Sequence, residues 1–201
     1  MNILMNKDGV CKLADFGLSR TIHQPLRTYT PEIMTMNYKP PELFFGETHY
    51  VSNIDVWSAG CIMGEMLRGR AMFSGECDLD MLFDIFTKMG SPKDKETRAV
   101  YANLQPLFWK AFPDFQPPRI DVFQSDFGQR IDNNAMDLMK KLLDLHPTRR
   151  IPAREALKHP WFSDIPGIFF RSKKIRVPTS RENPQEKVHL MSECGHHRGS
   201  T

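Results

Sequence analysis

Residues 52–69 read SNIDVWSAGCIMGEMLRG. Apolar side chains recur almost all round a helical wheel: Ile54, Val56, Trp57, Cys61, Ile62, Met63, Met66 and Leu67. Gly69 supplies the left-handed stop and Ser52 is the expected N-cap. A helix apolar on every side belongs in a core. Asp55 inside it is therefore expected to be a buried carboxylate, held by hydrogen bonds from a nearby backbone turn.

Reading outward, a second helix is expected over about 78–89, with Leu79, Leu82, Ile85, Phe86 and Met89 on one face and Gly90 after it. Residues 91–130 are rich in Pro and aromatics and read as irregular. Helical periodicity returns at 134–145 and stops before Pro147, and a short helix is expected over 152–158. Toward the N-terminus, Ile3–Met5 and Val10–Leu13 flank Asn6-Lys7-Asp8-Gly9, a hairpin signal. From Asp15 to Pro41 no periodicity lasts, and a loop of that length points to function. The fold class is mainly α, with a small β-hairpin at the N-terminus. The tail from residue 171 is basic, poor in apolar residues and expected to be loose.

The 201 residues are 40% hydrophobic and 25% charged, with a net charge of +3. That excludes disordered and disulfide-stapled classes and implies no nucleic-acid partner. No apolar run approaches the roughly 18 residues of a membrane span, so no membrane partner is expected, and MNILMNKDG shows no signal peptide. Cys11, Cys61, Cys77 and Cys194 form no CxxC and are expected to be reduced, which suits a cytoplasmic or nuclear protein or both. Cys194 with His196 and His197 is too weak a set to argue a metal site. His146 and His159 read as structural.

Several motifs follow one another in order: KLADFGLSR (12–20), RTYTPEIMT (27–35), Pro41-Glu42, IDVWSAGCIMGEM (54–66) and RIPAREALKHPWF (150–162). With Asn2 ahead of the hairpin, this order resembles the protein kinases, and most closely the cyclin-dependent kinases, from Asn2 to about Phe162. The resemblance implies the C-terminal lobe of the kinase fold without the N-terminal lobe. It implies a partial kinase domain over 1–162, an activation segment over 15–42, an insert over about 91–130 and a separate tail over 163–201.

It also implies roles. Asp15 and Asn2 would be the metal ligands, because magnesium takes hard oxygen donors and phosphoryl transfer needs it on the ATP oxygens. Leu4 would lie under the adenine and Ala14 would line the same floor, although hairpin packing explains both equally. Phe16 would pack inward and set the position of Asp15. Thr30 matches the activating phosphosite, with Thr28 and Tyr29 as the near alternatives, and Arg20 would be its cationic partner. Thr35 matches the threonine that contacts the catalytic aspartate. Ile33, Met34 and Lys39 match the pocket for a proline after the target Ser or Thr. Glu42 would pair with Arg150 in a buried bidentate contact, Arg149 being the exposed neighbour; the other reading is that Glu42 caps the next helix. A cyclin-type regulatory subunit and protein substrates are the implied partners, and the insert over 91–130 either docks a further partner or simply packs on the surface. Three residues depart from the pattern: Asn37 stands for a tryptophan, Lys39 for an arginine and Pro40 for an alanine.

The 201 residues hold no Gly-rich loop, no V-A-I-K lysine and no helix glutamate to pair with it. If Asn2 is the asparagine of H-R-D-L-x-x-x-N, the base aspartate falls before Met1. The expectation is a large-lobe fragment of a serine/threonine kinase, inactive alone. The alternative is a non-catalytic, short kinase-like binding module.

Overall fold

The computed structural model describes residues 2–17, 19, 35–49, 51–116 and 131–164. All of them belong to one compact unit, Met1–Asp164; the second unit, Ile165–Thr201, lies outside the described residues, as does the expected loose tail.

Strands β1 (Ile3–Met5) and β2 (Cys11–Leu13) pair antiparallel with Ile3 opposite Leu13 and Met5 opposite Cys11. Their turn is closed locally. Asn6 Oδ1 accepts from the amides of Asp8 and Val10, at 3.0 and 2.8 Å, and Gly9 takes a φ of +78° that its lack of a Cβ permits.

Helices follow: α1 (Pro41–Phe44), α2 (Asn53–Arg68), α3 (Asp78–Met89), α4 (Lys95–Leu104), α5 (Pro106–Ala111), α6 (Asn133–Leu142) and α7 (Ala153–Ala156). Short 3₁₀ turns occupy Met36–Tyr38, Pro147–Arg149 and Pro160–Phe162. Helix α2 ends on Gly69 in the left-handed region, as its sequence requires. The expected Ser52 cap is absent: Ser52 is itself helical, its side chain caps nothing, and a backbone bond from Ile54 to Val51 starts the helix instead.

Helix α2 is also not buried all round. Val56, Trp57, Gly60, Cys61, Met63 and Gly64 face the core. Asp55, Ala59 and Met66 form an exposed stripe at helical spacing, with Ile62 half-buried between them. Because most of that stripe is apolar, periodicity alone read it as interior. On α3, Met81, Leu82, Ile85 and Phe86 are buried, while Leu79 lies in the first turn and is exposed rather than on the core face.

The stretch beyond residue 91 is not irregular where it is described. Helix α4 begins at Asp94, whose carboxylate accepts from the Thr97 amide at 2.9 Å, and α5 begins with Pro106 at its first position. The buried face of α4 is Thr97 and Tyr101, so a polar residue interrupts the apolar period. Helix α6 runs over 133–142, ending short of the expected 145, and α7 covers only 153–156 of the expected 152–158.

Among the described residues two clusters form the core. One joins Trp57, Cys61, Met63, Met72, Phe73, Met81, Ile85, Leu138, Met139 and Leu143. In the other, Phe45 sits among Phe86, Tyr101, Phe108, Trp109 and Phe112, with ring centroids 5.0–6.4 Å away. Helices α2 and α6 approach so closely that a Cβ on Gly60 would meet Leu143 at 2.8 Å.

Candidate active site

The first expected site residues lie at the open end of the hairpin. The Ala14 amide donates to the Asn2 carbonyl at 2.9 Å, which extends the ladder past Ile3 and Leu13 and brings the backbone of Asn2 beside the residue preceding Asp15. Asp15 then turns out of the strand with a φ of +62°. A left-handed backbone is uncommon for any residue with a Cβ, though Asp tolerates it better than most, and such conformations cluster at functional sites. The Asp15 carboxylate accepts the Gly17 amide through Oδ1 at 3.4 Å. Asp15 is exposed.

Leu4 is exposed, and Ala14 is half-buried. Phe16 does not pack inward: it is 65% exposed. Both strands are exposed along their whole length, and among the described residues no layer lies against the hairpin on which a ring could pack. Arg20, Thr28, Tyr29, Thr30, Ile33 and Met34 lie outside the described residues.

Thr35, the first described residue after them, is exposed. The turn over Met36–Tyr38 then meets the helices through side chains. Tyr38 Oη donates to Glu65 Oε2 at 2.8 Å, and that bond raises the Tyr38 pKa. Ser58 Oγ donates to the Tyr38 carbonyl at 2.8 Å. Asn37 Nδ2 donates to the Phe73 carbonyl at 2.9 Å. Lys39 is buried; its Nζ stands 3.3 Å from Asp78 Oδ2 and 4.3 Å from the centre of the Phe44 ring. None of these partners was legible in the sequence, where Asn37 stood out only as a departure and Lys39 as a departure within the matched proline pocket.

Glu42 and Arg150 meet across 108 positions. Arg150 donates from Nη1 to Oε1 at 2.6 Å and from Nη2 to Oε2 at 2.7 Å, with side-chain exposures of 0% for Arg150 and 2% for Glu42. The guanidinium also donates to the Asp144 and Asn53 carbonyls and lies 5.0 Å from the Trp57 ring centre. Tyr101 closes the same region by donating to the Leu145 carbonyl, and burial pushes its pKa up. Burial likewise raises the Cys61 thiol. Arg149, one position away, points outward to Asp94 and Glu96.

Asp55 departs from expectation. It is exposed, and no hydrogen bond holds its carboxylate among the described residues; desolvation of the group raises its pKa. His159 bridges Asp137 Oδ2, at 2.8 Å, and the Trp161 amide, at 3.3 Å; His146 Nδ1 meets Thr148 Oγ1 at 3.0 Å. Cys11 and Cys77 are free and exposed, Cys61 free and buried; Cys194, His196 and His197 lie outside the described residues.

Comparison with known proteins accords with this geometry. The family model described as protein kinase domain matches residues 1–162. The chain is similar to Cell division control protein 2 homolog 3 of Trypanosoma brucei brucei, 40% identical over 164 residues, 81% of this chain and 51% of that protein. It is similar to Cyclin-dependent kinase B2-1 of Oryza sativa subsp. japonica, 36% identical over 166 residues, 82% of this chain and 48% of that protein. The chain belongs to the protein kinase family. It spans about half the length of these curated relatives.

Proposed function

We propose that this chain carries the large-lobe part of a serine/threonine kinase of cyclin-dependent type. In the complete enzyme the γ-phosphoryl group of ATP passes to a Ser or Thr hydroxyl, preferably one followed by proline, with loss of ADP. The observation that supports this reading best is the hairpin end, where Asp15 leaves the strand in a left-handed conformation beside the backbone of Asn2. Both residues carry hard oxygen donors. Among the described residues no group of three or more His, Cys, Asp or Glu could hold a metal ion. Two protein oxygens suit magnesium, which keeps waters and takes further ligands from phosphates. The bound ion neutralises charge on the triphosphate.

Within this reading Asn2 and Asp15 hold magnesium, and Leu4 and Ala14 line the adenine floor. Thr30 is the phosphoacceptor of the activation segment, with Arg20 as its partner, and Thr35 contacts the catalytic aspartate. Ile33, Met34 and Lys39 are the matched residues of the pocket for the proline. A cyclin-type subunit regulates the enzyme, the insert docks a partner, and the setting is cytoplasmic, nuclear or both. Residues 1–162 form the partial kinase domain and 163–201 a loose tail.

The 201 residues by themselves should not transfer phosphate. They contain none of the expected Gly-rich loop, phosphate-clamping lysine or base aspartate, and catalysis here is almost wholly positioning and charge stabilisation. Radiolabelled ATP with a Ser-Pro peptide tests this. Background counts are expected; turnover that disappears with Asp15→Ala would refute the inactivity of the 201 residues.

A further inference from the structure

The turn Met36–Tyr38 is fastened on two sides, and the two sides differ. Toward α2 the anchors are interior or half-buried: the Tyr38 carbonyl takes the Ser58 hydroxyl, and Tyr38 Oη binds Glu65. Asn37 reaches the carbonyl of Phe73, itself fully buried and stacked on Trp57 with centroids 5.6 Å apart. The remaining anchor is unlike these. The Lys39 side chain is 7% exposed, yet its carboxylate partner, Asp78, is 63% exposed at the first position of α3. A buried ammonium is stable only while paired, so Lys39 depends on a group at the protein surface. The Phe44 ring adds cation–π attraction but accepts no hydrogen bond of the strength a carboxylate offers.

We propose that Lys39 and Asp78 form a latch that couples the surface at the N-terminus of α3 to the substrate-side turn. Lys39 is then a positioning residue rather than a contact for the substrate's proline, and whatever neutralises or engages Asp78 loosens the turn. The word substrate-side rests on the kinase reading above; the latch itself does not.

Hydrogen exchange followed by mass spectrometry on the 201-residue chain tests the latch without nucleotide or peptide, so its failure is separable from failure of the kinase reading. The informative amides are Tyr38 and Lys39, bonded to the Thr35 and Met36 carbonyls at 3.1 and 3.2 Å. Asp78→Asn is a surface change that leaves the core intact. It should speed their exchange about fivefold, the loss of the carboxylate's charge from a partly exposed pair, and leave α6 unchanged. Lys39→Met should do the same, and Lys39→Arg, which keeps the charge, should retain protection. Unaltered exchange at residues 36–40 in Asp78→Asn would overturn the latch. So would equal acceleration in α6, which would show a general loss of stability in place of a local coupling.

Discussion

The hairpin and the Glu42–Arg150 crossing differ in nearly every physical respect. In the hairpin both strands are exposed throughout, the hydrogen bonds are local, and the apolar residues Ile3, Leu4, Met5 and Leu13 face solvent. At the crossing two charged side chains are almost wholly excluded from water, and they join segments 108 residues apart. An isolated two-stranded hairpin is marginal in water, whereas a buried, fully bonded ion pair is strongly coupled to its surroundings. The residues expected to carry chemistry thus lie on the element with the least support, and the residues that carry the fold lie elsewhere. A domain can keep its architecture while its catalytic end depends on further contacts.

Four measurements would break or sharpen that contrast. The largest effect is expected at the crossing. Arg150→Met or Glu42→Gln leaves a buried partner unpaired, at a cost of about 3–5 kcal/mol, and should lower the melting temperature sharply. Arg149→Met, at an exposed pair with Asp94 and Glu96, should barely move it. Equal effects of Arg149→Met and Arg150→Met would erase the distinction.

Next, Gly60→Ala pushes a methyl group against Leu143, with the nearest atoms at 2.8 Å, and should cost about 1–3 kcal/mol by chemical denaturation. Third, Asp15→Gly replaces a left-handed aspartate by the residue best suited to that conformation, while adding freedom to the unfolded chain. The net change in global stability should stay below about 0.5 kcal/mol. A shift as large as that of Gly60→Ala would place the hairpin inside the cooperative core.

The smallest expected effect is a dependence on acidity. The Thr97 amide at the start of α4, with Arg149 adding to it, lowers the pKa of Asp94, and the Lys141 and His159 bonds lower that of Asp137. A carboxylate with a depressed folded-state pKa stabilises the fold above its unfolded value, near pH 4, and loses that contribution as pH falls through the folded value. Melting temperature should therefore decline below about pH 4, and Asp94→Asn should flatten part of that decline. An unchanged acid slope in Asp94→Asn would show that this cap does not govern it.

The sequence was most legible where one residue type answers one geometric need. Gly69 and Gly90 closed α2 and α3 as expected, and Asp8-Gly9 marked the hairpin turn. It was least legible where a face mixes chemistry. Thr97 on the buried side of α4 concealed that helix, although Asp94 and Pro106 were local start signals for α4 and α5. The exposed Met66 and Leu67 made the outer side of α2 look interior and drew Asp55 in with it. At the site, the family motif named Asp15 and Asn2, but no local pattern specifies that Asn37 reaches Phe73 or that Lys39 reaches Asp78. Those are contacts between distant segments, set by the packing of the helices.

The distance along the chain between Glu42 and Arg150 also bears on how the molecule forms. Closing a loop of 108 residues costs entropy that local helices such as α2 and α3 do not pay. A contact of that span costs loop-closure entropy before it gives anything back, and we expect it to close on helices that are already packed. A late contact chiefly restrains the escape from the native state. Loss of either partner should therefore speed unfolding far more than it slows folding, and the ion pair acts as the lock on the finished lobe rather than as its seed.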